Sequence, residues 1–256
     1  MQNMIKSHDI IVFLETQKGD DFNVNFPGYI SNSYAFSKRH KHAKRASGGF
    51  LVLYKETYND FIHVDSVTDF TLWLKVKQDL LEPISDLYVG FVYLPPRGSA
   101  HLEPDVNCID VLQEQLESYS AKGLVTLCGD FNARTGTLQD YIPYSDMSDM
   151  TGLHADMVVN ESSRENEDTI ICIRGRQMVD LCKSSGLQII NGRGGYPSNF
   201  TCHRFMGRSV VDYLLCPATV QRYLRKFIVH DKSVLSDHCL LAFTVAGNPR
   251  GMGVKG

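Results

Sequence analysis

The chain contains no run of about twenty apolar residues, so nothing in it reads as a membrane-spanning helix. Its opening, Met1-Gln-Asn-Met-Ile-Lys-Ser-His-Asp9, lacks the apolar centre of a secretory signal. The seven cysteines, at positions 108, 128, 172, 182, 202, 216 and 239, include no C-x-x-C pair. An odd count with several thiols inside apolar runs argues against a disulfide framework or a zinc site and for buried free thiols in a reducing compartment. The expectation is an intracellular protein, cytoplasmic or nuclear, without a membrane partner. There is no excess of basic charge either: 26 Lys and Arg against 29 Asp and Glu leave a formal charge of −3. Any nucleic-acid affinity must then rest on a local basic patch. No internal repeat or shift in composition marks a second domain. The 256 residues suit one domain over 1–246 and a Gly-rich tail over 247–256, expected to be disordered.

What the chain does contain is a succession of short apolar runs. Asp9–Thr16, Ser47–Lys55, Phe70–Lys77 and Leu87–Tyr93 read as strands, the last stopped by Pro95-Pro96. In Phe70–Lys77, Leu72, Leu74 and Val76 alternate with Thr71, Trp73 and Lys75, which predicts two unlike faces. Phe70 and Trp73 are expected in the core or on the sheet, not stacked on bases. Spacings of three and four at Val106, Ile109, Leu112, Leu116 and Tyr119 predict a helix ending near Gly123. A second helix is expected from Thr169 to Ser185, with Ile173, Met178, Leu181 and Cys182 inward and Gly186 as its stop. Shorter strands are expected at Leu187–Asn191, Asn199–Cys202, Ser209–Cys216 and His238–Val245. Residues 138–164 lack periodicity and read as a long surface loop. Strands follow one another directly between residues 48 and 93, which favours a sheet sandwich flanked by helices over a doubly wound sheet.

Polar residues gather at the ends of these runs. In Leu124–Gly136, five apolar or β-branched residues lead to Gly129, expected to end the strand, and then to Asp130 and Asn132. If the extended conformation persists, both side chains share one face. A carboxylate beside a carboxamide suits a hard cation and a phosphate oxygen. A plain polar turn, which Gly, Asn and Asp favour, would account for the same residues. Glu15 closes an apolar strand, where a carboxylate is costly unless paired, metal-bound or turned to solvent. Asp212, flanked by Val-Val and Tyr-Leu-Leu, needs a partner such as a histidine ring or a backbone donor. Ser236-Asp237-His238 stands before the last apolar run. Alone, that histidine would be structural; beside Asp237, with a buried aspartate available, it is a candidate acid/base or phosphate-binding group.

Taken in order, Glu15, Val92-Tyr-Leu-Pro-Pro96, Gly129-Asp-Phe-Asn-Ala-Arg-Thr-Gly136, Phe200-Thr-Cys-His203, Ser209-Val-Val-Asp-Tyr213 and Ser236-Asp-His238 form a recognisable series. It resembles the endonuclease/exonuclease/phosphatase superfamily related to DNase I and the abasic-site endonucleases. More narrowly it is similar to the endonuclease domains of animal non-LTR retrotransposons. The resemblance implies an α/β (α+β) fold, a four-layered αββα sandwich of two mainly antiparallel sheets flanked by helices, with the site at one rim. It implies Glu15 as the principal ligand of Mg²⁺, with Mn²⁺ as an alternative ion, and Asp237 as a second metal-proximal carboxylate. Asp130 would activate the attacking water, and Asn132 would hold it and the phosphate. His238 would bind the scissile phosphate, with its tautomer set by Asp212, and Tyr93 would reach the same group. Thr201 and Ser209 would brace the phosphate or the nearby backbone. The implied reaction is in-line attack of water on a phosphodiester, leaving 3′-hydroxyl and 5′-phosphate ends. The family pattern also carries a strand and an Asn ahead of the Glu-bearing strand, which here begins at residue 9. The domain over 1–246 is therefore expected to be N-terminally truncated and to lack its first strand.

One basic run, Ser37-Lys-Arg-His-Lys-His-Ala-Lys-Arg45, offers Lys38, Arg39, Lys41, Lys44 and Arg45 to DNA phosphates. A solvated loop or a nuclear-localisation-like patch would look the same. Three functions follow from the sequence. The first is a Mg²⁺-dependent endonuclease acting on double-stranded DNA without an obligate protein partner. The second is a phosphatase or phospholipid phosphodiesterase on the same scaffold, since the fold does not set the substrate. The third is a catalytically impaired remnant or binding module.

Overall fold

The computed structural model describes residues 5–18, 24–35, 48–83, 85–96, 98, 107–147 and 159–248. The first strands are β1 (Ile10–Leu14), β2 (Tyr29–Tyr34), β3 (Phe50–Lys55), β4 (Ile62–Val67), β5 (Thr71–Val76) and β6 (Leu87–Tyr93). Helix α1 (Cys108–Ser120) then leads to β7 (Leu124–Asp130), and helix α2 (Ile173–Ser185) to β8 (Leu187–Ile189). The chain continues through β9 (Cys202–Arg204), β10 (Gly207–Ser209), β11 (Asp212–Pro217), β12 (Leu224–Val229) and β13 (Leu241–Val245).

The larger sheet has the order β4-β5-β6-β7-β11-β8. Its pairs are antiparallel except β6 with β7, which run parallel and are joined through α1, the crossover that a parallel pair requires. Both helices cover one face of this sheet, packing on Trp73, Val92, Leu127, Tyr213 and Leu215. The opposite face, with Leu72, Leu74, Val89 and Leu214, packs on Phe50 and Val52 of β3 and Phe227 of β12. The second sheet comes in two parts, β1-β3-β2 and the β12-β13 pair. Among the described residues, β1 pairs only with β3 and β13 only with β12. Ile5, Val24 and Phe26 close over Ile11, Tyr29, Leu51 and Leu53 on the outer side of β1–β3. The architecture is the expected α/β sandwich. No helix of the described residues is long and apolar enough to cross a membrane.

Local chemistry explains the helices. Asn107 caps α1 by accepting from the Ile109 N–H, and Ile109, Leu112, Leu116 and Tyr119 are buried at the predicted spacing. Helix α2 starts at Ile173, later than Thr169, and stops at Gly186 with φ 70°. Ile173 faces outward at 61% exposure, contrary to expectation. The first turn instead buries Arg174 and Gly175, because a Cβ at 175 would lie 1.9 Å from the Arg134 carbonyl oxygen. In β5 the alternation does not separate core from solvent: Thr71, Leu72, Trp73, Leu74 and Val76 are all buried, and it sorts them between two cores. Trp73 stacks on Tyr119 at 4.1 Å and donates its indole N–H to Gln115, a core role.

Strands β2, β4 and β12 escaped the sequence reading. Their sequences, Tyr-Ile-Ser-Asn-Ser-Tyr, Ile-His-Val-Asp-Ser-Val and Leu-Arg-Lys-Phe-Ile-Val, bury one face at most, which breaks up the apolar run. The 138–164 segment is no simple surface loop, because Asp140 is buried in an ion pair with Arg193. Residues 148–158 of that segment lie outside the described residues. Gly247 bridges Leu81 and the Asn248 N–H donates to the Leu80 carbonyl, so two residues assigned to the tail are held in place. Residues 249–256 lie outside the described residues, as do 36–47, which hold the whole basic run Lys38, Arg39, Lys41, Lys44 and Arg45. All seven cysteines are free, with Cys172 half-buried and the others buried.

Candidate active site

Three neighbouring strands bring three of the expected residues into one row. Tyr93 lies opposite Asp130 in the β6–β7 pairing, and Asp130 lies opposite Asp212 in the β7–β11 pairing. The row exists because β7 does not end at Gly129 but continues through it to Asp130. Gly129 has φ 145°, and a Cβ there would lie 2.1 Å from the Val92 carbonyl oxygen. Glycine is what lets the two strand ends close together.

Asn132 reaches Asp130 by a different route from the one predicted. Its φ of 45° breaks the extended conformation, so strand alternation does not place it. Instead its backbone N–H donates to Asp130 Oδ1 at 2.8 Å and its Nδ2 donates to Oδ2 at 2.9 Å. The same Nδ2 donates to the Leu94 carbonyl at 2.9 Å. Two acceptors thus fix the amide's orientation, and the amide in turn fixes the carboxylate.

His238 completes the row. Its Nδ1 lies 3.0 Å from both carboxylate oxygens of Asp212, while Nε2 lies 4.0 Å from Asp130 Oδ2 and 3.5 Å from Cys202 Sγ. The backbone around it is pinned to the segment entering β9: the Cys239 N–H donates to the Thr201 carbonyl and the His203 N–H to the Asp237 carbonyl, each at 2.7 Å. Thr201 is fully buried, and its Oγ1 accepts the N–H groups of Val211 and Asp212 at 3.0 Å, a brace on the strand that carries Asp212.

Two buried carboxylates and one imidazole make the electrostatics unusual. Burial, and then the neighbouring Asp212, push the Asp130 carboxyl up to about 8. Burial also raises Asp212, although the bond to His238 works against it. For His238 burial is the largest single influence and favours the neutral ring, but the bonds to Asp212 and Cys202 and the charges of Asp212 and Asp130 together outweigh it and raise the imidazolium's pKa to about 11. With Asp130 protonated, Asp212 and the imidazolium balance; once Asp130 ionises, near pH 8 or on binding of a cation, two carboxylates face one imidazolium. Asp130, Asp212 and His238 lie close enough together to share a metal ion, as do Cys202, Asp237 and His238.

Glu15 stands at the exposed rim just past β1, with φ 53°, and accepts a hydrogen bond from the buried Tyr93 hydroxyl. Burial and this carboxylate both raise the phenol's pKa. Glu15 belongs to neither ligand group among the described residues, but its charge acts on Asp130. Asp237 is half-exposed and paired with Arg204 at 3.0 Å. Ser209 lines a pocket of about 580 Å³ beside Asn132, together with Arg134, Arg174, Arg204, Ile171 and Cys202. Arg134 is held there by two bonds to Asp168, at 2.7 and 2.6 Å. The sequence reading missed this pocket, Cys202, and the fully exposed tip Phe205-Met206 of the β9–β10 hairpin. Only the tip had a legible signal, Phe-Met-Gly set between Arg204 and Arg208.

Residues 1–238 match the family model described as the Endonuclease/Exonuclease/phosphatase family. No curated protein sequence matches the chain. Among solved structures, the endonuclease domain of TRAS1, a telomere-specific non-LTR retrotransposon, is similar at 15% identity and a TM-score of 0.54, over 96% of this chain and 88% of that one. The 3′-5′ exonuclease NExo from Neisseria meningitidis is similar at 15% identity and 0.59, over 96% and 93%. NExo is also described as a 3′ phosphatase, bound to a product DNA hairpin. The AP endonuclease LMAP from Leishmania major is similar at 13% identity and 0.63, over 94% and 80%. At such identities the likeness to these structures is one of fold.

Proposed function

The chain belongs to the endonuclease/exonuclease/phosphatase family, and from that premise we propose that it is a Mg²⁺-dependent phosphodiesterase that nicks double-stranded DNA, an endonuclease of the non-LTR retrotransposon type. The observation that carries this reading is the row Tyr93–Asp130–Asp212 with His238 across it. Asp130, oriented by Asn132 and with its proton affinity raised to about 8, suits a base that takes a proton from water near neutral pH. The water oxygen bonds to phosphorus, its proton passes to Asp130, and the bond to the 3′-oxygen breaks, that oxygen leaving with the bonding pair and taking a proton from solvent to become the 3′-hydroxyl. His238, held as an imidazolium by Asp212, presents Nε2 to the phosphate as charge builds there. Tyr93 orients Glu15 and lies beside the same oxygens, while Thr201 and Ser209 brace the wall.

The donor set fits a hard cation: the carboxylate oxygens of Asp130, Asp212 and Asp237 lie around His238, with Glu15 open to solvent at the rim. Glu15 would hold Mg²⁺ or Mn²⁺, with Asp237 as a second carboxylate nearby. What the bound ion supplies is neutralisation of charge on the phosphoryl and leaving oxygens.

Nicking of supercoiled plasmid tests the reading, with Mg²⁺ or with EDTA, comparing the parent with His238→Ala and Asp130→Ala. The parent is expected to nick only with the metal, and each variant to lose about 10²–10⁴-fold. Equal nicking by all three proteins rules out these residues. Absence of nicking throughout favours the impaired binding module. Phosphate release from 3′-phosphate ends without nicking favours the phosphatase.

A further inference from the structure

We propose that Cys202, His238 and Asp237 form a second cation site, for a thiophilic ion of the Zn²⁺ class, which borders the oxygen-lined Mg²⁺ site and shares His238 and Asp237 with the catalytic row. The sequence argued against zinc because no C-x-x-C pair exists. Here the ligands come from β9 and from the segment before β13, brought together by the bridge between Cys202 and His238.

The geometry matches tetrahedral coordination. Zn–S and Zn–N bonds of about 2.3 and 2.05 Å at a tetrahedral angle separate sulfur and nitrogen by about 3.6 Å. Cys202 Sγ and His238 Nε2 stand 3.5 Å apart before any ion is added. That pair is rigid: Cys202 is 2% exposed and registered against Ser209 on its other side, and the histidine ring is held through Nδ1 by Asp212. A carboxylate on the far nitrogen of a metal-binding histidine fixes its tautomer and raises its basicity. Asp237 supplies the third ligand from the rim: its carboxylate already lies within 4.8 Å of the other two ligand atoms, and it exchanges its exposed ion pair with Arg204 for the metal. Water completes the shell. The ion displaces the proton on His238 Nε2 and the Cys202 thiol proton, both to solvent; the thiolate so formed selects Zn²⁺, Cd²⁺ or Co²⁺ over Mg²⁺, so the site stays empty in a Mg²⁺ buffer and fills when a softer ion arrives.

Occupancy has a consequence that rests on the proposed function. The ion takes His238 Nε2, the nitrogen presented to the phosphate, so Zn²⁺ inhibits the Mg²⁺-supported reaction.

Co²⁺ reports the site without any need for activity. Titrated into this chain in Mg²⁺ buffer, it is expected to bind one to one and give a thiolate-to-cobalt charge-transfer band that Zn²⁺ abolishes. Cys202→Ser should lose the band, and Asp237→Asn, a rim change that leaves the core intact, should weaken binding about tenfold. No band in the parent, or an equal band in Cys202→Ser, overturns the site. If the parent nicks DNA, Zn²⁺ should suppress nicking, and Cys202→Ser should need about tenfold more Zn²⁺ for the same effect. A parent that binds Co²⁺ as described but never nicks DNA would leave this site standing and defeat the proposed function instead.

Discussion

Asp130 carries opposing demands. It is 5% exposed, lies across from Asp212, and its carboxyl is raised from an ordinary 3.8 to about 8. Below 3.8 the carboxyl is protonated in both folded and unfolded chains. Between 3.8 and about 8 the unfolded chain releases a proton that the folded chain keeps, so the metal-free fold loses stability as pH rises through that window. Asp130→Asn removes this dependence while keeping the shape. In EDTA near pH 8 the variant is expected to melt above the parent, with a shallower pH slope and no nicking. Saturating Mg²⁺ should raise the parent's melting temperature more than the variant's. Thermal melts across pH 4–8, with and without metal, check both expectations; a variant that melts below the parent in EDTA contradicts them.

At the scale of elements, the decisive contact is the closure of β6 on β7. Gly129 and Val92 are register partners, one position ahead of Asp130 and Tyr93. A methyl group on Gly129 meets the Val92 carbonyl at 2.1 Å and must also accept a φ of 145°. Gly129→Ala is expected to cost about 3 kcal/mol or more in urea unfolding, through overpacking and backbone strain together. Because the separated strands carry Tyr93 away from Asp130, nicking should fall beyond what the lost folded fraction explains. Gly175 performs a similar service for α2, letting the helix start against the Arg134 carbonyl and turning Ile173 to solvent. In both places a glycine that looks like a breaker is an approach point between elements.

For the molecule as a whole, the long 138–164 segment is a fastening. Arg193, 2% exposed, pairs with Asp140 and donates to the carbonyls of Ile189, Asn160 and Ser162 at 3.0, 3.0 and 2.6 Å. Asp140 also accepts the Ile189 N–H at 2.6 Å, so this one pair ties the segment to edge strand β8 of the larger sheet. Asp140→Ala strands a buried guanidinium and is expected to destabilise the protein by about 3–5 kcal/mol. Since the bonds of this pair go to Ile189, Asn160 and Ser162 and not to His238, Asp130 or Asp212, nicking per folded molecule should stay near the parent's value. Urea titration with active-fraction normalisation checks this, and an unchanged midpoint would contradict it.

Read alone, the sequence determined the sandwich class, the four strands from Asp9–Thr16 to Leu87–Tyr93, and the inward residues of α1. These depend on apolar spacing within a few turns or a few residues of strand, which is local information. It also determined which polar residues stand at strand ends, because Glu15, Tyr93, Asp130, Asp212 and His238 recur in an order that a family resemblance makes legible. Their mutual geometry was left to the tertiary structure. That Asp130 faces Asp212 follows from the antiparallel register of β7 with β11, set by contacts distant along the chain. Asn132 meets Asp130 through a left-handed turn that strand alternation would not produce. Cys202, one apolar-looking residue in a short strand, became a neighbour of His238 only when the chain folded back beside β9. Strands β2, β4 and β12 likewise owe their pairing to a partner already in place, since single apolar faces are too weak a local pattern to announce a strand.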